Sequence, residues 1–138
     1  MPSTPTVIFR QAIDALLDKD MPRFIALFAP DAVLEFPFAP PGQPRRVAGQ
    51  AALHDYLIGY PDLLDVHEIH DVTIHETTDP EVIVVEFTST GAAVATGQPF
   101  ELRYIAVLTI RDGQMVHYRD YWNPMDAQEL LGGGLVPS

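Results

Sequence analysis

The sequence predicts an α+β fold in which three N-terminal helices pack on one side of a curved, mostly antiparallel β-sheet. Three observations carry this. Over the first sixty residues apolar side chains recur at helical spacing. From Leu64 onward they alternate or run in valine-rich stretches, as strands do. The breaks between those later stretches are turn sequences that join neighbouring strands as hairpins.

Val7 to Lys19 forms the first helix, with Val7, Ile8, Ala12, Ile13, Leu16 and Leu17 as its stripe. Pro5 and the Ser/Thr residues before it suit a helix start. Asp20 is the expected N-cap of a second helix with Pro22 in its first turn. Its apolar side is Phe24, Ile25, Leu27 and Phe28, and Pro30-Asp31 is expected to end it. A short strand, Ala32 to Phe36, follows. Pro37 to Arg46 holds four prolines and a glycine and must be a loop, either a pocket rim or plain surface. Gly49 to Tyr60 is a third helix with Leu53, Tyr56, Leu57 and Tyr60 on one side. Those tyrosines either belong to the core or line a cavity.

Leu64 to Glu76 then reads as a strand, Thr77 to Pro80 as a turn, and Val82 to Thr90 as a strand apolar on both faces. Gly91 to Pro99 is expected to be a long hairpin connection. Phe100 to Arg111 and Met115 to Trp122 are strands joined at Asp112-Gly113, a strong two-residue turn signal. Pro124 to Leu131 is a short helix stopped by Gly132-Gly133-Gly134. No helix remains to cover the outer face of the apolar strands, so a second subunit is the expected cover.

The 138 residues fit one domain, taken as 1–138, and 47% hydrophobic residues suffice for one core. No apolar run reaches the ~18 residues of a membrane span, and Met1 to Thr6 does not resemble a secretory signal. The chain has no cysteine, which excludes disulfides and thiolate chemistry. A cytoplasmic protein with no membrane association is expected. The net charge of -11, with scattered Arg and Lys, argues against nucleic-acid binding and against strongly anionic ligands.

The stretch Val116 to Pro124 carries the chemistry. Tyr118, Asp120 and Trp122 alternate onto one face of the last strand, so large rings bracket one carboxyl. Desolvation there raises a carboxyl's pKa and makes it a candidate general acid or base. The alternative is that Asp120 pairs with a neighbouring Arg or caps the following helix. His117 and Arg119 point the other way, as do Glu101 and Arg103. Cross-strand Arg–Glu pairing is expected on that face.

The motif Tyr118-Arg119-Asp120-Tyr121-Trp122-Asn123-Pro124, with Glu129-Leu130-Leu131-Gly132 after it, resembles the nuclear-transport-factor-2-like superfamily. Ala12-Ile13-Asp14-Ala15-Leu16 and Phe28-Ala29-Pro30-Asp31-Ala32 match as well. Within that superfamily the chain looks most like the SnoaL-like polyketide cyclases and phenazine-biosynthesis A/B-type proteins. Glu76-Thr77-Thr78-Asp79-Pro80 is familiar from the latter. The resemblance runs from about Val7 to Gly132. It implies a cone-like fold whose pocket lies between helices and concave sheet, a homodimer formed through the outer sheet face, and neither metal nor organic cofactor. It also implies that the final-strand acid, here Asp120, carries the chemistry. By alternation, Tyr118, Trp122, Leu102, Tyr104, Phe87, Ser89 and Gly91 would share its side. Ile13, Leu16, Phe36, Tyr56 and Tyr60 would close the cavity from the helical side.

Two departures narrow the activity. Epoxide hydrolases of this fold set an Arg and a second Asp two residues apart on an inner strand, where this chain has Phe87 and Ser89. The steroid isomerase subgroup places a second acid near the first strand, where Glu35 is the nearest candidate and alternation turns it away. The histidines lack ligand spacing. His67 and His70 should face opposite ways, and His67 and His75 lie about 26 Å apart at ~3.3 Å per residue. Gly132 to Gly134 follows a helix, so it is not a phosphate loop.

The expected function is acid–base isomerisation, cyclisation or dehydration of a small hydrophobic carbonyl metabolite, with phenazine or polyketide metabolism as candidate settings. Asp120 would move the proton and the hydroxyls of Tyr104, Tyr56 or Tyr60 would stabilise an enolate. The alternative classes are a non-catalytic hydrophobic-ligand or scaffold domain, and a protein-interaction domain using the Pro37 to Arg46 loop.

Overall fold

A computed structural model describes residues 4–39, 41–42 and 44–126. The elements, in order, are α1 (Pro5–Leu17), α2 (Met21–Ala26), β1 (Phe28–Glu35), β2 (Arg46–Ala48), α3 (Gln50–Leu57), a 3-10 turn (Tyr60–Asp62), β3 (Leu64–Glu76), β4 (Val82–Ala93), β5 (Pro99–Arg111) and β6 (Gln114–Trp122). They form the α+β arrangement expected. Residues 124–126 begin a helical turn. The remainder of the helix expected over Pro124 to Leu131, and the glycines after it, lie outside the described residues.

The helix starts follow local chemistry. Thr4 Oγ1 accepts from the Val7 N–H at 3.3 Å, and Asp20 Oδ1 accepts from the Arg23 N–H at 3.1 Å. Each cap satisfies an amide that the helix itself leaves free. The buried side of α1 is Ile8, Phe9, Ala12, Ile13 and Ala15, whereas Val7 is exposed. The α2–β1 junction is tied to α3 by Gln50, whose Nε2 donates to Phe28 O at 3.0 Å and Ile25 O at 3.5 Å.

The sheet has six strands in the order β2-β1-β6-β5-β4-β3. β3 to β6 are antiparallel hairpin partners, whereas β1 lies parallel to β6. One face carries the helices and the main core, including Phe28, Leu53, Val85, Ala106, Leu108 and Met115, each fully buried. A smaller cluster of Leu64, Val66, Ala93, Phe100 and Leu102 lies toward the β3–β4 end. Tyr60, Ile69 and Tyr104 pack against both clusters.

Several boundaries differ from expectation. α2 ends at Ala26 and β1 runs through Pro30-Asp31. The β1–β6 ladder is irregular between Phe28 and Val33, and exposed Pro30 falls in that gap, where its missing N–H breaks no ladder bond. β2 emerges from the end of the proline-rich loop as a three-residue edge strand beside β1. α3 stops at Leu57, and Tyr60 belongs to the 3-10 turn that contains Pro61.

The stretch from Gly91 is not a long loop: β4 continues to Ala93 and pairs with β5 up to Pro99. Gly91 is required there. A Cβ on it would sit 2.0 Å from the Asp65 backbone oxygen, where β3 bulges between Val66 and Glu68. The Asp112-Gly113 turn forms as expected, with φ of 54° and 76°.

The β3 bulge also changes which side chains share a face. Strict alternation through His67 and His70 does not hold. His67 Nε2 lies 3.0 Å from Asp65 Oδ2, and His70 Nδ1 lies 3.2 Å from Asp71 Oδ2.

Candidate functional site

The cavity opens between the two core clusters. Its volume is ≈ 140 Å³, bounded by the concave sheet, α1, α2, α3 and the 3-10 turn. β6 contributes Tyr118, Asp120 and Trp122, and β5 contributes Leu102 and Tyr104. Phe87 and Ser89 come from β4, and Phe36 follows β1. Tyr56, Tyr60 and Leu16 close it from the helical side. Two residues expected at the cavity are elsewhere. Ile13 is buried in the α1 core, and Gly91 lies against the β3 bulge.

Register explains the geometry. Tyr104 sits opposite Trp122 across the β5–β6 ladder and opposite Phe87 across the β4–β5 ladder. The Phe87 and Tyr104 rings stack at 5.2 Å, and Phe36 meets Trp122 edge-on at 5.1 Å and Tyr56 at 5.3 Å. These contacts build two aromatic walls. Asp120 stands between them, opposite Ala106, whose side chain is too small to cover it.

The Asp120 Oδ1 atom has no solvent contact and no hydrogen-bond partner in the protein. Burial pushes the carboxyl up to about 7 from its ordinary 3.8. No salt bridge involves Asp120 among the described residues, and its side chain does not cap the turn that follows. Tyr56 and Tyr60 are pushed up to about 12, first by burial and then by the Asp120 charge. Tyr104 and Tyr118 are raised well above their ordinary value, with burial again the largest cause. All four hydroxyls therefore keep their protons at neutral pH and remain able to donate. Among the cavity-lining residues, none is basic.

The opposite face of the sheet carries different chemistry. Glu35 turns away from the cavity, as alternation implies, and pairs with His117. Arg–Glu pairing does occur, but where β4 begins and β5 ends: Arg111 Nη2 lies 3.1 Å from Glu81 Oε1. His75 Nε2 lies 2.7 Å from Glu86 Oε2, while Arg103 Nη1 donates to Thr88 Oγ1 at 2.9 Å. Thr88 lies directly opposite Arg103 on the neighbouring strand, so the hydroxyl takes the position a Glu would need. Among the described residues no cluster of three potential metal ligands occurs, and no helix is long and apolar enough to cross a membrane.

Sequence reasoning left several cavity residues unassigned. Leu64, Val66 and Ile69 reach the cavity from β3, with the bulge restoring Ile69 to the inner side. Leu34 reaches it because β1 lies parallel to β6, with Leu34 beside Tyr118. Met21, Phe24 and Leu57 complete the helical side. Apolar periodicity marked most of these as buried without separating core from cavity wall.

Fold and site together define a helix-backed, curved-sheet protein with one desolvated acid in an apolar hollow. A family model described as a SnoaL-like domain matches residues 9–118, and the chain belongs to that family. It is 38% identical over 127 residues to the uncharacterised protein YesE of Bacillus subtilis, covering 92% of this chain and 86% of that one. An uncharacterised PhzA/B-like protein of Pseudomonas aeruginosa is 43% identical over 107 residues, covering 78% and 75%.

A crystal structure from Bacillus subtilis, described provisionally as an isomerase, aligns with a TM-score of 0.92 at 36% identity, covering 96% of this chain and 95% of that one. A phenazine biosynthesis-related protein from Pseudomonas aeruginosa shares the fold, with a TM-score of 0.71 at 19% identity over 96% and 92% of the two chains.

Proposed function

We propose that this protein is an isomerase or cyclase that moves a proton on a small, neutral, hydrophobic carbonyl metabolite, with Asp120 as the proton carrier. The observation that carries this reading is Asp120, a cavity-lining residue whose Oδ1 is buried without a partner and whose carboxyl is pushed by burial up to about 7. Near that value one carboxyl serves as base and then as acid at neutral pH. The protonated tyrosine hydroxyls around it supply hydrogen bonds to developing charge in a dry site. The absence of basic side chains from the lining favours neutral ligands. At ≈ 140 Å³ the cavity is close to the roughly 150 Å³ apolar cavity that holds a benzene ring, so a single ring fits without rearrangement.

The protein is further proposed to act as a homodimer. The outer face of β4–β6 presents Val84 and Val107 paired in one row and Ile105 and Tyr121 in the next, with Ile105 44% exposed. A second copy is the partner that would cover this face. Light scattering would return the dimer mass, and a monomer at micromolar concentration would remove this part of the proposal.

The test of the chemistry is proton exchange in deuterium oxide. Small cyclic ketones and enones are incubated with the protein, and loss of the α-proton signal is followed by NMR. The wild type is expected to accelerate exchange for part of the panel, and Asp120→Asn is expected to lose roughly 100- to 10,000-fold of that rate. Ligands that bind without any exchange would instead support the non-catalytic binding module.

A further inference from the structure

Two cavity-lining residues, two apart on β6, each hold a buried polar atom without a hydrogen-bond partner in the protein: Asp120 Oδ1 and Trp122 Nε1. The indole nitrogen can only donate. Leaving such a donor buried and unsatisfied is costly, which points to a ligand that accepts from it. The ring is also held in place. Phe36 packs edge-on against it at 5.1 Å and 69°, and Phe36 is itself backed by Tyr56. The indole N–H is thus a fixed, buried donor without a protein partner, on the same face of β6 as the carboxyl.

We propose that Trp122 Nε1–H is the specificity-determining donor of this site, and that it takes the oxygen of a planar, neutral, single-ring carbonyl compound whose adjacent C–H faces Asp120. The inference rests on the acid–base reading above and names the substrate class it requires. In the step, the Asp120 carboxylate removes the proton from the carbon beside the carbonyl. The C–H bond breaks, the carboxyl O–H forms, and the electron pair spreads onto the carbonyl oxygen. The same carboxyl then returns the proton to another carbon of the delocalised system, giving an isomer of unchanged composition. The hydrogen bond from Trp122 strengthens as charge reaches the oxygen, so it favours the enolate over the bound ketone.

The experiment uses the full chain with phenol, a planar ring bearing one oxygen, and toluene, its counterpart without that oxygen. The chain holds one tryptophan, so the indole N–H gives one nitrogen–proton NMR peak. Phenol is expected to move that peak downfield and toluene to leave its proton shift nearly unchanged. By calorimetry, Trp122→Phe is expected to weaken phenol binding roughly tenfold more than it weakens toluene binding, since both lose ring contact but only phenol loses the hydrogen bond. If both ligands bind but phenol does not move the peak, or Trp122→Phe weakens phenol binding no more than toluene binding, the donor role is wrong and the cavity reading stands. The peak is read on the wild type, so the donor role is tested even where the variant folds poorly. If neither ligand binds the wild type, the cavity reading falls and this inference falls with it.

Discussion

Ala106 lies directly across the β5–β6 ladder from Asp120, fully buried, and its methyl group leaves the carboxyl facing open space. A larger side chain at this register position would fill that space. Ala106→Leu is therefore expected to occlude the hollow beside Asp120 and to destabilise the fold by roughly 1–3 kcal/mol through overpacking. Urea unfolding reads the stability, and loss of toluene binding reads the occlusion. A variant that keeps both unchanged would mean the two side chains do not compete for space.

Asp120 should cost the fold stability at high pH. Its folded value, about 7, lies above its ordinary 3.8, so the protonated carboxyl is the form that folding prefers. The wild type is then most favoured below pH 4 with respect to this group, and it loses that advantage as pH rises from about 4 to 7. Asp120→Asn removes the charge and is expected to be more stable than wild type at pH 8, by up to ~4 kcal/mol. At pH 4 the difference should nearly vanish. Equal stability of the two proteins at pH 8 would show that the carboxylate is well solvated.

On the proposed mechanism, the same group would set the pH profile of turnover. If Asp120 begins the reaction as a base, kcat/KM should rise with pH and level off above about 7. Exchange rates across pH 5 to 9 check this, and a profile that falls through 7 would assign the first step to the acid form.

Gly91→Ala should be strongly destabilising although the residue lies within a strand. Its added methyl would meet the Asp65 carbonyl oxygen at 2.0 Å, and backbone must shift to relieve it. A loss of at least roughly 1–3 kcal/mol in urea unfolding is expected. A neutral result would mean the β3 bulge is easily displaced.

Asp20→Ala tests the second helix cap. Loss of the 3.1 Å bond to the Arg23 N–H is expected to lower stability by about 1 kcal/mol, with Asp20→Asn retaining most of it. Equal losses in both variants would assign the effect to charge instead of hydrogen bonding.

What the sequence made legible was local. Alternation alone placed Tyr118, Asp120 and Trp122 on one face, and hairpin turns carried that parity to Tyr104 and Phe87. Helical spacing marked Tyr56, and the cap at Asp20 needed only its neighbours. The rest depended on partners distant in the chain. Nothing near Leu34 announces that β1 will lie parallel to β6. The bulge that turns Ile69 inward, and that demands Gly91, arises from two strands meeting. Pro30 read as a stop because its strand's irregular pairing is invisible locally. Cross-strand Arg–Glu pairing forms between Arg111 and Glu81 but not at Arg103, because register puts Thr88 opposite that residue.

The parallel contact of β1 with β6 has a consequence for how the molecule is made. The first strand stays without its inner neighbour until more than eighty further residues have been synthesised, because the final strand inserts between it and β5. Such sequence-distant pairing slows folding and leaves edges open to wrong partners meanwhile. Asp120, Trp122 and the strand that joins the two halves of the sheet all arrive together, so a chain halted before residue 114 would lack both the acid in the cavity wall and a joined sheet.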